Sequence, residues 1–209
     1  MPSESIERGI VYVVDDDPSI RSALEGLFES VGLETQTYAT AGEFLAARLA
    51  DRPACIIIDV RLPDMSGLDF QARLADGGVQ LPFVMMTGYG DIPMSVRAMK
   101  HGAVDFLTKP FNDQDMLDAV MGAINRDRQR RDVDVDISRI LERFETLSPR
   151  EQQVMRLITA GKMNKQVAGD LGISEVTVKV HRGAAMRKMG ARSLAELVIM
   201  AGKITPKPV

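Results

Sequence analysis

Val11-Tyr12-Val13-Val14-Asp15-Asp16-Asp17 is a run of four strand-forming side chains that stops at three carboxylates. Four β-branched or aromatic residues without a polar interruption read as a strand covered on both faces, as in a parallel sheet. Carboxylates at the end of such a strand are costly unless a cation meets them. Three further runs follow the same plan. Cys55-Ile56-Ile57-Ile58 ends at Asp59, Phe83-Val84-Met85-Met86 at Thr87, and Val104-Asp105-Phe106-Leu107-Thr108 at Lys109. The carboxyl ends of parallel strands share one edge of a sheet, and ligands bind there. Asp15, Asp16, Asp59, Thr87 and Lys109 are therefore expected in one pocket, with chemistry suited to a hard divalent cation and a phosphoryl group.

Between these runs lie helical signals. Pro18 opens a helix carrying Ile20, Leu24, Leu27, Phe28 and Val31, and Gly32 stops it. A short strand is expected over Leu33–Thr37, and helices over Ala41–Leu49, Leu68–Leu74 and Met94–His101. Asn112 caps a last helix that runs past Ile124. Five β-α units argue for a doubly wound parallel sheet with helices on both faces.

The remainder of the chain is helical. Ile137, Ile140, Leu141, Phe144 and Leu147 form one apolar stripe, read as a linker helix that docks on a domain or pairs with a second copy. Ser148-Pro149-Arg150-Glu151 has the cap, the first-turn proline and the third-position glutamate of a helix start. Caps at Asn164, Ser174 and Ser193 open three more helices, the longest from Glu175 to about Met189. With Val178 inward, Ala185 and Met189 share its face, and Val176, Lys179, Val180, Gly183 and Arg187 lie opposite.

Composition narrows the function. From Ser148 onward there are 11 Lys+Arg against 4 Asp+Glu, whereas the first 147 residues hold 15 against 25. An acidic first part and a basic second part suggest different partners, with nucleic acid for the second. The single cysteine, Cys55, excludes an internal disulfide framework, and two distant histidines exclude a His-rich metal cluster. No apolar run approaches a membrane span. The start, Met1–Arg8, has no apolar core and does not read as a signal peptide, so a cytoplasmic protein is expected. No nucleophile elbow or HExxH pair occurs, and Ala160-Gly161-Lys162-Met163 lacks the first glycine and hydroxyl of a P-loop. An aspartyl-phosphate phosphatase would need an acid two residues after its nucleophile, where this chain has Arg61, so no enzyme is expected.

The acidic pair, Asp59, Asp64-Met65-Ser66-Gly67, Thr87-Gly88 and Lys109-Pro110-Phe111 together make residues 10–125 similar to the receiver domain of bacterial two-component response regulators. The resemblance implies a flavodoxin-like sheet with Asp59 as phosphoacceptor. It implies Mg²⁺ held by Asp16 and Asp59, by Asp15 through water, and by the Arg61 backbone carbonyl. It also implies that Lys109 and Thr87 meet the phosphoryl oxygens, that Phe106 is an aromatic switch, and that Lys109–Pro110 is cis. Leu147–Glu151, Asn164-Lys165, Leu171–Ser174 and Thr177–His181 resemble the four-helix DNA-binding domain of the LuxR/FixJ/NarL class. That domain reads DNA with its second helix-turn-helix helix, which points to Thr177, Lys179, Val180 and Arg187, with Arg182 and, from the preceding helix, Lys165 on the flanks toward phosphate.

The expected layout is a receiver over 8–125, a helical linker over 126–146 and a helix-turn-helix domain over 147–203. The resemblance implies a sensor histidine kinase as phosphodonor, promoter DNA and RNA polymerase as output partners, and a homodimer when phosphorylated. The competing expectation is an atypical receiver with phosphate-independent, constitutive DNA binding.

Overall fold

The computed structural model describes residues 9–88, 92–100 and 102–204. The chain divides into two compact units, Met1–Arg131 and Asp132–Val209. Among the described residues no helix is long and apolar enough to cross a membrane.

The first unit holds five strands, β1 (Ile10–Val14), β2 (Glu34–Tyr38), β3 (Ala54–Asp59), β4 (Phe83–Thr87) and β5 (Asp105–Thr108). They form one parallel sheet in the order β2-β1-β3-β4-β5. The helices are α1 (Pro18–Ser30), α2 (Ala41–Ala46), α3 (Gly67–Asp76), α4 (Ile92–Lys100) and the start of α5 (Asp113–Glu145). The uninterrupted apolar runs are explained by cover on both faces. Tyr12, Val14, Ile56 and Ile58 pack with Phe44 of α2, Phe70 of α3 and Ala98 of α4. Their neighbours Val11, Val13, Cys55 and Ile57 turn to the other side, onto Leu24 and Phe28 of α1 and Met116 and Val120 of α5. Successive strand residues point to opposite faces, so a strand covered twice must be apolar throughout. β2, at the edge, is correspondingly polar and half-buried.

Several boundaries differ from expectation: α3 and α4 begin earlier, at Gly67 and Ile92, and β5 later, at Asp105. β2 begins one residue later, at Glu34. α2 ends at Ala46 rather than Leu49, because Ala47 is extended and the Ala50 N–H donates to the Tyr12 hydroxyl at 2.9 Å, which draws the chain back onto the sheet. α5 runs past Ile124 as expected, but it continues without a break through the Asp-Val alternation of residues 132–136 to Glu145, so that the linker helix is the same helix. That alternation leaves Val133 and Val135 exposed, consistent with a helix surface rather than a half-buried strand. Of the expected fourth helix, His101 lies outside the described residues.

The second unit contains the end of α5, then α6 (Pro149–Thr159), α7 (Asn164–Leu171), α8 (Glu175–Met189) and α9 (Leu194–Ile204). Ile140 and Leu147 join Val154, Ile158, Val167, Val178, Ala185, Met189 and Leu197 in one core, so the stripe on α5 docks within this unit. Ser148 makes the expected capping box with Glu151. Ser174 caps α8 by accepting from the Thr177 N–H. The cap of α7 is Met163 rather than Asn164, and its N–H is satisfied by the Gln166 side chain at 2.9 Å.

Candidate functional site

The acids and the lysine expected at the sheet edge do converge. β1 and β3 are hydrogen-bonded neighbours, which brings Asp15, one residue beyond β1, beside Asp59 at the end of β3. Lys109, one residue beyond β5, reaches both: its Nζ donates to Asp15 Oδ2 at 2.6 Å and to Asp59 Oδ2 at 2.6 Å. Its backbone N–H donates to the Thr87 carbonyl at 2.7 Å, which ties the ends of β4 and β5 together. The Lys109–Pro110 peptide bond is cis. Asp15, Asp59 and Thr87 are buried, while Asp16 is exposed. One carboxylate oxygen each from Asp15, Asp16 and Asp59 lies within 4.8 Å of the others. Hard oxygen donors so placed suit a divalent cation such as Mg²⁺.

The remaining lone pairs are taken up by backbone. Asp15 Oδ1 accepts from the Asp17 N–H and Asp59 Oδ1 from the Arg61 N–H, both at 2.8 Å. Burial pushes the Asp15 carboxyl above the usual carboxylate range, against the pull of the bonds from Lys109 and Asp17. Burial also works against the Lys109 ammonium, but its hydrogen bonds to Asp15 and Asp59 outweigh that and hold it above the ordinary lysine value. Phe106 is half-buried against the core of the α2–α4 face.

Three supports of this edge were given no role by the sequence, although Asp64 and Gly67 belong to the motif that carries the resemblance. Arg21, one turn into α1, donates from Nη1 to the carbonyls of Asp15 at 2.7 Å and Asp16 at 3.0 Å. Asp64 accepts from the N–H groups of Ala41 and Gly42, so the loop after Asp59 is pinned to the start of α2. Gly67 comes so close to β3 that a Cβ would stand 3.1 Å from Val60 Cα and 3.2 Å from the Asp59 carbonyl. At the opposite edge the buried Asp127 takes Arg130, Arg131 and the Ala54 N–H, which fastens α5 to the start of β3. The i, i+3 and i, i+4 arginines were the only local sign of that cluster.

In the second unit α8 buries Val178, Ala185 and Met189, as its pattern predicted. Val176 is 71 % and Val180 62 % exposed, with Lys179 exposed between them. Lys165, Lys179, Arg182 and Arg187 make no ion pair among the described residues, unlike Lys162, held by Asp170, and Lys188, held by Glu151. The Thr177 hydroxyl is shared with that of Ser174 at 2.8 Å. Met163, 71 % exposed at the start of α7, is an apolar neighbour that helix periodicity could not flag.

Comparison with known proteins gives two family matches. Residues 11–121 match the response regulator receiver domain and residues 145–201 the luxR family of bacterial regulatory proteins. Nodulation protein W of Bradyrhizobium diazoefficiens is 53 % identical over 199 residues, covering 95 % of this chain and 88 % of that protein. Transcriptional regulatory protein FixJ of Rhizobium meliloti is 42 % identical over 91 % of this chain and 94 % of its own. Among solved structures, response regulator StyR superposes with a TM-score of 0.80 at 45 % identity, covering 94 % of this chain and 99 % of that one. An acidic strand-edge pocket joined by one lysine, a helix-turn-helix with unpaired cations and similarity along nearly the whole length place the chain in one family: it belongs to the two-component response regulators of the FixJ/NarL class, transcriptional regulators rather than enzymes, with a receiver and a LuxR-type DNA-binding domain.

Proposed function

We propose that Asp59 accepts a phosphoryl group from a sensor histidine kinase and that this modification controls promoter binding by α8. The observation that carries the reading is the pair of charged hydrogen bonds from Lys109 Nζ to Asp15 and Asp59 at the carboxyl edge of the sheet. An Asp59 oxygen forms a bond to phosphorus as the phosphohistidine P–N bond breaks, and the imidazole leaves with a proton. Bound Mg²⁺ would neutralise charge on the phosphoryl oxygens, and Asp15, Asp16, Asp59 and the Arg61 carbonyl are the groups that would hold it. Lys109, already in contact with the nucleophile, exchanges a carboxylate for a phosphoryl oxygen. The Thr87 hydroxyl meets another, and Phe106 turns inward behind it.

In this reading residues 8–125 are the receiver, 126–146 the helical linker and 147–203 the DNA-binding domain. Val96, Arg97 and Lys100 of α4 with Asp105 of β5 form a mixed surface able to pair across a two-fold axis, so phosphorylation favours a homodimer. Two copies of α8 then address half-sites about one DNA turn apart, roughly 34–36 Å, in an imperfect palindrome, and the bound dimer engages RNA polymerase. Lys179 and Arg187 donate to base edges or phosphates, Val180 touches a thymine methyl, and Thr177, Lys165 and Arg182 hold the backbone. The gathering of Asp15, Asp16 and Asp59 with Lys109 at the sheet edge favours this reading over a receiver with phosphate-independent output.

Labelled acetyl phosphate supplied with and without Mg²⁺ tests the reading. Mg²⁺-dependent label that is lost in Asp59→Asn, together with an increase in sedimenting mass on adding beryllofluoride and Mg²⁺, supports it. Label that enters Asp59→Asn at the native rate overturns it.

A further inference from the structure

We infer that Arg21 is a positioning residue for the acidic pocket, setting Asp16 for cation binding through the backbone of the β1–α1 turn. The inference rests on the reading of the pocket given above and concerns a residue which that reading does not use.

The three carboxylates are held differently. Asp15 is fixed on every side: its N–H donates to the Tyr38 carbonyl at 3.2 Å, Oδ1 accepts from Asp17 and Oδ2 from Lys109. Asp59 is held by Lys109 and the Arg61 N–H. The Asp16 carboxylate is exposed and has no hydrogen-bond or ion-pair partner among the described residues, yet one of its oxygens lies within 4.8 Å of those of the other two. What holds it there is its own backbone. Arg21 Nη1 binds the carbonyls of Asp15 at 2.7 Å and Asp16 at 3.0 Å, so both peptide groups face the guanidinium and their orientation is set. A side chain on a fixed backbone has only its own rotamers left to lose on binding a ligand.

Two opposing effects make the test sharp. By charge alone, Arg21 repels a cation, and its removal would tighten binding. By position, its removal frees the turn and weakens binding, as loss of groups that orient metal ligands generally does. The full-length chain is titrated with Mg²⁺ by calorimetry, and labelling from acetyl phosphate is followed as a function of Mg²⁺. Arg21→Met is expected to weaken Mg²⁺ binding about 10-fold, with the labelling rate at saturating Mg²⁺ returning close to native. Arg21→Lys, a shorter arm with the same charge, recovers part of the loss and carries the comparison if Arg21→Met does not fold. Combined with Asp16→Asn, Arg21→Met adds nothing further, because both act through one carboxylate. Unchanged or tighter binding in Arg21→Met, a lysine variant no better than the methionine one, or additive losses in the double variant overturn the inference alone. If the native chain binds no Mg²⁺, the reading of the pocket falls and the inference falls with it.

Discussion

The acidic pocket and the outer face of α8 use charge in opposite ways. In the pocket every buried carboxylate has a partner in the same chain: Lys109 serves Asp15 and Asp59, and backbone N–H groups take the remaining oxygens. On α8, Lys179, Arg182 and Arg187 have no ion-pair partner among the described residues, and valines 176 and 180 stay in water. A charge inside a protein must be paired to be tolerated, whereas an exposed charge loses little by waiting. The pocket is therefore part of the stability of its unit, and the α8 face is not. Substitutions in the first should be read in melting curves, and those in the second in binding isotherms.

The strongest contrast comes from removing Lys109. Its side chain is 19 % exposed and that of Asp15 fully buried. Lys109→Met leaves two neighbouring buried carboxylates without their cation. Breaking a buried pair from one side commonly costs 3–5 kcal/mol; partial solvent access to Lys109 reduces the expected loss here to about 2–3 kcal/mol. The loss is measured by urea unfolding of the full chain, following the transition of the receiver unit. A variant as stable as native would mean that the pocket does not rely on its lysine, and the contrast with α8 would dissolve.

Lys179→Ala should do the reverse. The melting temperature stays native, while affinity for a specific duplex drops by about 1–3 kcal/mol and one base position relaxes. Isotherms on specific and scrambled duplexes decide it. An unchanged ratio between the two removes α8 from the role of reading helix.

How much of this was legible follows from how local each signal is. The strand ends announced themselves, because an apolar run that stops at an acid is a feature of adjacent residues, and parallel strands put such ends on one edge. Ser148–Glu151 and the Val178-Ala185-Met189 face were equally legible, being spaced by three to seven residues. What escaped depends on partners far along the chain. Ala50 meets Tyr12 across 38 residues, Gly42 meets Asp64 across 22, and Ala54 meets Asp127 across 73. No periodicity encodes these, so the early end of α2 and the fastening of α5 could not be foreseen. Arg21 is only six residues from Asp15, but a side chain bound to a carbonyl leaves no pattern in residue types.

A smaller effect probes a charge of the second unit that is paired. Glu151 is 7 % exposed and accepts from Lys188 at 2.7 Å and from the Ser148 N–H at 2.7 Å. The bond from Lys188, then that from Ser148, hold its carboxyl below the usual glutamate range. A depressed folded-state pKa means that the unfolded chain binds the proton more readily. The stability this contributes is present above the unfolded glutamate value and is lost as pH falls through the lower folded one. Glu151→Gln should therefore lower stability by roughly 0.5–1 kcal/mol at pH 7, the scale of a helix cap. The gap to native closes as the solution is acidified below the ordinary glutamate pKa. A gap that is constant with pH would assign the loss to shape rather than charge.

The smallest effect separates two kinds of unpaired cation. Lys165 is exposed at the start of α7, in the helix that precedes the proposed reading helix, and there a side chain is expected to meet phosphate rather than a base edge. A phosphate contact carries no sequence information and releases a counterion. Lys165→Ala should weaken specific and scrambled duplexes alike and reduce the salt slope of log K by about 0.9. Lys179→Ala instead changes the ratio between duplexes. Titrations at two salt concentrations give both quantities from the same data. If Lys165→Ala shifts the specificity ratio while leaving the salt slope intact, α7 reaches base edges, and the division between a reading helix and a supporting one does not hold for this chain.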